Sequence, residues 1–413
     1  MTAGGGKRSG RQRRPCPMTP ALSTGQPVPA ARLSSFYFFY YAALGAFTPY
    51  WSLYLQSRGL DVAAISVLMS LWYATRILSP SLWTSLAARS AHPIRWLHLG
   101  CGLALACFAL FLMPMGFAGL FAAMAAWCFV YNAVMPQFEA ITLSHLAERS
   151  DRYGLIRVWG SIGFILVVAA YGWAIDARRL GVAALPWLML PLMAGVLASA
   201  LRNRYAHDPG HPAAAGDDGF RARLKRPPAI AFFVAAFLAQ VSFGPFYTLF
   251  SIYLSEHGYA TSEQGMLWAV GVVAEIGVFF LSSRIFRRWD AGRVLLVALL
   301  SASLRWLATG LFPDNATVLV LAQLTHALNF GAFFAASMQL LVRFFPGRMN
   351  GHGQGVFYGL SSGVGGVAGA LLAGQLWRFG GEAAFLASSA IALLAALIAW
   401  HWLVGPQVAA AGK

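Results

Sequence analysis

SLYLQSRG at residues 52–59 recurs 199 residues further along the chain as SIYLSEHG at residues 251–258. The Ser, Tyr, Leu and Gly positions coincide, and each copy ends a long apolar run. The match is short, but it lies at the end of the first apolar run on either side of the chain's middle, where an internal duplication would put it. At the same offset Arg76 corresponds to Glu275. The sequence therefore predicts two repeated halves.

Apolar residues dominate the rest of the chain. Of its 413 residues 58% are hydrophobic and 11% are charged, whereas about a quarter of a soluble chain is charged. About 20 apolar residues span the hydrocarbon layer as a helix, and long runs without period-two alternation argue against an outer-membrane barrel. We predict an all-α membrane protein with twelve transmembrane helices, at residues 34–56, 62–86, 96–117, 119–143, 154–175, 184–201, 229–254, 264–283, 294–312, 316–341, 353–377 and 382–403.

The longest polar interval inside the chain divides these spans six and six. It runs over residues 202–228 and contains Pro, Gly, Asp and a basic end. We interpret it as a cytoplasmic linker between six-helix bundles at 34–201 and 229–403, with a disordered tail at 1–33 and a short tail at 404–413. Two parallel six-helix repeats are the architecture expected of a major facilitator transporter, whose site lies between the halves.

The net charge of +16 has a topological explanation. With both termini in the cytoplasm, 23 of the 30 Lys and Arg residues lie inside, four lie outside and three lie within spans. This asymmetry follows the positive-inside rule, so the basic residues indicate orientation and lipid contact and not binding to nucleic acid. We expect a multi-pass protein of the inner (cytoplasmic) membrane whose partners are the lipid bilayer and a small molecule.

Reactive groups give no sign of catalysis. The four cysteines, one in the N-terminal tail and three within spans, fit neither a disulfide framework nor a metal site, and no cofactor is expected. We find no nucleophile with a base and no carboxylate dyad near a membrane face, so an enzyme is not expected. A non-transporting membrane sensor stays an alternative, although the tails and linker are too short and polar to form a sensory domain.

Charged groups inside the spans are the informative positions, because a charge at the bilayer centre costs at least about 2.5 to 3.5 kcal/mol. The cations outnumber the acids, so an anion could complete the balance, either a substrate carboxylate or a counter-charge elsewhere in the chain. Each charge has a structural alternative: an ion pair between helices for Glu139 with Arg157 or for Glu275 with Arg305, and snorkelling to the interface for Arg76. His326 could carry a proton near neutral pH. The set comprises Arg76, Glu139, Arg157, Glu275, Arg305 and His326.

Uncharged groups add weaker candidates. Gln240 and Asn329 could contact a substrate, although amides within membranes usually form hydrogen bonds between helices. The aromatic run that includes Tyr37 and Tyr41 is typical of packing, and both tyrosines stay outside possibilities for binding.

Three motifs carry a family resemblance. They are YGLIRVWGSIGF at 153–164 with Glu139 before it, SLRW at 303–306 and QLTHALN at 323–329. The sequence resembles the major facilitator proton symporters of the lactose permease type, and more closely the phenylpropionate permease family. The resemblance implies that Glu139 and Arg157 bind substrate and that Phe164 takes the place of an aromatic that stacks on it. It also implies a monomer.

Two positions depart from the sugar permease. Gln323 stands where that permease has a Lys, and Asn329 stands where it has its proton-carrying Glu. Because Asn cannot titrate, coupling to a proton gradient must use Glu139, Glu275 or His326. We expect a proton symporter that moves an aromatic carboxylate such as phenylpropionate by alternating access. The alternatives are a sugar or nucleoside proton symporter and a drug exporter.

Overall fold

The computed structural model describes residues 28–146, 152–177, 180–205 and 219–404. Residues 1–27 of the predicted tail, about half of the predicted linker (206–218) and the end of the C-terminal tail (405–413) lie outside them. The helices are α1 (Ala30–Ser57), α2 (Val62–Ala88), α3 (Pro93–Ala109), α4 (Phe117–Leu146), α5 (Tyr153–Asp176), α6 (Leu185–Leu201), α7 (Phe220–Leu224), α8 (Pro227–Ser242), α9 (Gly244–Glu256), α10 (Thr261–Arg288), α11 (Ala291–Leu311), α12 (Ala316–Leu324), α13 (Phe333–Phe344), α14 (Met349–Phe357), α15 (Gly366–Leu376) and α16 (Gly381–Leu403).

In the described part of the chain, ten helical segments are long and apolar enough to cross a membrane. Three of these segments each consist of two or more consecutive α-helices; Pro227–Glu256, for example, comprises α8 and α9. The helices α1 and α10 have 28 residues each and are long enough to span, but they are less apolar. The predicted all-helical membrane fold is thus observed, while the count of twelve spans stays a prediction.

Two boundaries differ from the predicted ones. Helix α1 begins at Ala30, directly after Pro29, and so takes in four residues that we predicted as tail. Residues 220–224 of the predicted linker form α7, because Phe220 is apolar and packs against Phe345 and His352.

The repeated segments adopt the same helix ending. Gly59 and Gly258 have φ angles of 81° and 80°, a left-handed conformation that favours glycine after a helix. The amide of the residue after each glycine closes the turn: Leu60 donates to the Leu55 carbonyl at 3.4 Å, and its counterpart donates to the Leu254 carbonyl at 3.0 Å.

The repeat also preserves one contact between helices. Tyr54 donates its hydroxyl to the carbonyl of Phe111 at 3.3 Å, and Tyr253 donates to the carbonyl of Gly310 at 3.1 Å. Donors and acceptors are both 199 residues apart, so the same hydrogen bond ties the first long helical segment of each half to the third. We call α1–α6 the first half and α8–α16 the second half.

Buried residues form one core in each half and a third between them. The first core centres on Trp51 and Trp127, and the second contains Phe232 and Phe345. The third brings Phe164 of α5 together with residues of α9, α10 and α11. The two halves therefore share buried aromatic surface in the middle of the molecule.

Helices α5 and α10 approach each other closely at two glycines. A Cβ atom added at Gly172 would lie 2.9 Å from the Thr261 carbonyl oxygen, and one added at Gly265 would lie 2.9 Å from the Val168 carbonyl oxygen. Tyr50 joins this contact by donating a hydrogen bond to the Val168 carbonyl at 2.6 Å. Only residues without a side chain allow the two backbones to come this near.

Asp176, the last residue of α5, secures the same region. Its two carboxylate oxygens accept hydrogen bonds from the backbone amides of Thr261 and Ser262, at 2.9 and 2.6 Å. These amides begin α10, where a negative charge also interacts favourably with the helix dipole. The close glycine contacts and this cap join the two halves. We call this region, around Gly172, Asp176 and Gly265, the closed end.

We expect Gly265→Val to separate the halves at the closed end, because the new side chain would meet the Tyr50 hydroxyl and the Val168 carbonyl. The measurement is the labelling of a Thr48→Cys reporter in the cavity by a membrane-impermeant maleimide added on the closed-end side, with the native cysteines replaced. Labelling should be faster in Gly265→Val than in its parent. The matched control is Gly277→Val on the same helix, where an added Cβ meets nothing within 4 Å. Equal rates in the two variants would contradict the role of the glycine contact.

Candidate functional site

A cavity of about 510 Å³ lies between the two halves. Aromatic residues make up 14 of its 30 lining residues, although they make up 14% of the whole chain. Its walls are therefore far more aromatic than the rest of the protein. The aromatic residues are Tyr41, Phe47, Trp72, Tyr73, Phe164, Phe243, Phe246, Tyr247, Trp268, Phe330, Phe333, Phe334, Phe357 and Tyr358.

Most of the predicted site residues line this cavity. Two do not: Glu139 and Arg305 lie behind the wall. A larger groove of about 670 Å³ near the end of α10 contains none of the predicted residues, so the central cavity is the candidate site. The predicted residues on its wall are Arg76, Arg157, Phe164, Gln240, Glu275, His326 and Asn329.

Glu139 is held behind the wall by three partners. One carboxylate oxygen lies 3.4 Å from Nε of Arg157, and the other accepts hydrogen bonds from the hydroxyls of Tyr37 and Tyr153, at 2.9 and 2.8 Å. Arg157 itself donates through Nη2 to the hydroxyl of Tyr41. Of this predicted pair Arg157 lines the cavity, and the two tyrosines hold the carboxylate of Glu139 between α1, α4 and α5.

Arg305 is buried, with 1% of its surface exposed, and all its hydrogen bonds are to neutral side chains. Its Nη1 lies 2.9 Å from Nδ1 of His326 and donates to Oδ1 of Asn329 at 3.1 Å, while Nη2 donates to Oε1 of Gln323 at 2.6 Å. Two aromatic rings lie 4.2 and 4.6 Å from the guanidinium carbon, close enough for cation–π attraction. These rings belong to Phe246 and Trp306.

His326 separates Glu275 from Arg305. Its Nε2 lies 3.9 Å from Oε2 of Glu275, and the direct ion pair of Glu275 with Arg305, which the sequence left open as an alternative, is not formed among the described residues. The guanidinium can only donate, which requires Nδ1 of His326 to be the acceptor. A neutral ring then carries its proton on Nε2, the nitrogen that faces Glu275.

Two irregular helical segments shape the second half's side of the cavity. Residues Ala327–Ala332 and Tyr358–Gly365 form π-helical turns, which are frequent at functional sites. The first contains Asn329 and follows His326 directly, so both side chains reach the same guanidinium. The sequence contained no signal that predicted these turns.

Arg76 lines the cavity from α2. Its Nε donates to Oδ1 of Asn132 at 3.2 Å, and its guanidinium carbon lies 4.9 Å from the centre of the Trp72 ring. Within the described residues it forms no salt bridge. The structure therefore places Arg76 on the wall of the cavity.

The aromatic walls were the main feature that sequence reasoning missed. Their members come from many helices in both halves, and apart from Phe164 none belongs to a motif that the sequence analysis identified. Tyr41, an outside possibility in the sequence, does reach the site, whereas Tyr37 contacts Glu139 behind it. The only available signal was the high aromatic content of the chain, which does not tell which rings face inward.

Comparisons with known proteins identify relatives over most of the chain. The family model described as MFS_1 like family matches residues 30–387. The maltose permease of Geobacillus stearothermophilus is 28% identical over 353 residues, which cover 84% of this chain and 88% of the permease. The "Probable 3-phenylpropionic acid transporter" of Escherichia coli K12 is 27% identical over 320 residues, which cover 74% of this chain and 80% of that transporter.

A solved structure shares the fold. The crystal structure of a point mutant of the nucleoside transporter NupG superposes with a TM-score of 0.79 at 15% identity and covers 91% of this chain and 100% of that one. The fold class predicted from the apolar runs and the repeat is confirmed by this match.

We expect the double variant Glu139→Gln, Arg157→Gln to lose less free energy of unfolding than the sum of the losses in the two single variants. Each single change leaves a charge without its partner, and the double change removes both. Because the two side chains are 25% and 33% exposed, we expect a coupling energy near the lower end of about 0.5 to 3 kcal/mol. Chemical unfolding of the purified protein in detergent measures it.

The control for this cycle combines Glu139→Gln with Arg378→Gln, a change of an exposed arginine after α15. These two effects should add. Additivity in the Glu139 and Arg157 cycle would show that the contact contributes nothing measurable.

Proposed function

The chain belongs to the MFS_1 like family and is a secondary transporter of the major facilitator type, and from this premise we propose that it carries an aromatic carboxylate such as 3-phenylpropionate together with a proton. A carrier was predicted in preference to an enzyme, and the family confirms that choice. The substrate and the coupling ion are the subject of the proposal.

The chemistry of the cavity wall carries the proposal. Nearly half of the lining residues are aromatic, and aromatic rings attract one another in stacked or edge-to-face arrangements. Two guanidinium groups, Arg76 and Arg157, reach the wall against one carboxylate, Glu275. An aromatic ring that bears one negative charge complements both properties. The name of the 3-phenylpropionic acid transporter, a relative at 27% identity, agrees with this class of substrate.

A sugar is the second candidate, because the maltose permease is 28% identical and polar groups such as Gln240 and Ser161 also line the cavity. The amide oxygens of Gln323 and Asn329, which could accept from sugar hydroxyls, each already accept one hydrogen bond from Arg305. This occupation leaves fewer polar contacts for a sugar and favours the aromatic acid.

Glu275 is our candidate for the proton site. It lines the cavity, its side chain is 18% exposed, and its nearest polar partner in the described structure is His326, whose ring can be neutral. Entry of one carboxylate adds a negative charge, and protonation of Glu275 removes one. The loaded carrier then has the same charge as the empty carrier, so a complete cycle of inward and return steps moves no net charge through the membrane.

We further propose that the protein lies in the cytoplasmic membrane with both termini in the cytoplasm, as the positions of the Lys and Arg residues indicate. With that orientation, the closed end faces the outside. Alternating access would then exchange the contacts of Asp176 and the two glycines for contacts at the opposite end.

The first test uses purified protein in liposomes. An imposed pH gradient, alkaline inside, should drive saturable uptake of labelled 3-phenylpropionate, and a protonophore should abolish it. Because a weak acid also crosses lipid in its neutral form, protein-free liposomes supply the baseline, and excess unlabelled acid must suppress the difference. Gradient-driven accumulation of maltose without that of the acid would replace the proposal by the sugar candidate.

The second test examines Glu275→Gln, which keeps the shape of the side chain but can neither bind nor release a proton. We expect loss of gradient-driven accumulation, while exchange of external labelled acid for internal unlabelled acid continues because the loaded state stays neutral at this position. The matched control is Glu382→Gln, an exposed glutamate at the start of α16, which should keep both activities. Wild-type accumulation by Glu275→Gln would assign the proton to another group.

A further inference from the structure

We infer that Arg76 binds the carboxylate of the cargo and that Asn132 is the residue that positions it. This inference rests on the proposed function, since it presumes an acid as cargo. It also differs from the assignment that the family resemblance favours, in which Arg157 is the first substrate-binding arginine.

The three arginines within the spans differ in what surrounds their charge. Arg157 lies beside the carboxylate of Glu139. Arg305 is sealed from the cavity behind the side chains it donates to. Arg76 and Arg157 both line the cavity, but among the residues that the structure describes only Arg76 does so without a carboxylate partner. A cation left in this position within a membrane requires an anion or water.

The hydrogen bonds of Arg76 leave a specific face available. Its Nε is used by Asn132, at 3.2 Å, and neither Nη atom has a hydrogen-bond partner in the described part of the chain. The two Nη groups of a guanidinium point the same way and match the two oxygens of a carboxylate in a bidentate pair. On Arg157, in contrast, Nε faces Glu139 and Nη2 donates to Tyr41.

Asn132 is itself fixed in one orientation. It is 5% exposed, and its Nδ2 donates to the carbonyl of Trp72 at 3.0 Å and to Oγ1 of Thr75 at 2.9 Å. Both acceptors require the amide nitrogen on that side, so Oδ1 is left facing Nε of Arg76. The Trp72 ring supports the guanidinium from another side. The free face of Arg76 is therefore held in place before any cargo arrives.

The experiment compares the affinity of the purified protein for 3-phenylpropionate with its affinity for the neutral 3-phenylpropionamide, by calorimetric titration in detergent. Hydrogen bonds to a charged group contribute enough that Arg76→Gln should weaken acid binding by about 10- to 100-fold, with amide binding unchanged. The amide thus reports that the variant is folded. Asn132→Leu should lower the ratio of acid to amide affinity in the same direction but by less, since the charge remains.

Arg76→Lys serves if the glutamine variant does not fold. It keeps a cation but not the two parallel Nη donors, so the ratio of acid to amide affinity should lie between that of the wild type and that expected for Arg76→Gln. Arg378→Gln, a change of an exposed arginine away from the cavity, should leave the ratio as in the wild type.

Two results would overturn the inference, and they differ. If the wild type binds the acid and Arg76→Gln or Arg76→Lys keeps the full ratio while Arg157→Gln removes it, Arg157 is the anchor and the proposed function stands. If the wild type binds neither 3-phenylpropionate nor related aromatic acids more tightly than their amides, the proposed substrate class fails and the anchor fails with it.

Discussion

The main physical constraint on this structure is the free-energy cost of placing a charged side chain inside a membrane without a counter-charge, a hydrogen-bond partner or water. The chain meets this cost differently at each arginine within its spans. Arg157 has a carboxylate partner, and Arg305 is surrounded by amide oxygens, an imidazole nitrogen and two aromatic faces. Arg76 has only one amide oxygen and one ring. Arg76 is thus the least compensated of the three arginines, and its position on the wall of the aromatic cavity makes that cavity a candidate site for an anion.

The features that the sequence predicted well are those set by local composition. Apolar runs marked the helices because backbone groups in lipid must bond within the helix. The repeated tyrosines make matched hydrogen bonds to Phe111 and Gly310, and the repeated glycines form matched helix endings. The contact between Glu139 and Arg157 also followed from the motifs. The features that were missed depend on distant segments that meet only after packing. No spacing along the chain shows that His326 lies between Glu275 and Arg305, or which aromatic rings face the cavity.

The two departures from the sugar permease pattern now have a shared physical account. The resemblance puts a Lys and a Glu at the positions of Gln323 and Asn329, and replacing both leaves the net charge of the region unchanged. Asn329 keeps an oxygen that accepts from Arg305, at 3.1 Å, and Gln323 supplies one that a Lys would lack, at 2.6 Å. Changing only one of the pair would leave an uncompensated charge in a dry region, which is costly. The replacement at position 323 and the replacement at position 329 therefore depend on each other.

The closed end has a consequence for the pace of the carrier. A carrier must undo its seal in every cycle, and Asp176 seals this end with two hydrogen bonds from backbone amides, each worth about 1.5 to 3 kcal/mol when one partner is charged. Since every 1.4 kcal/mol changes a rate about tenfold, one more bond of this kind would slow the opening by about ten- to a hundredfold. Fast turnover therefore requires that few strong polar contacts hold this end closed. The glycines let the two backbones pack closely enough to exclude solutes, and they add no polar contacts that each cycle would have to break.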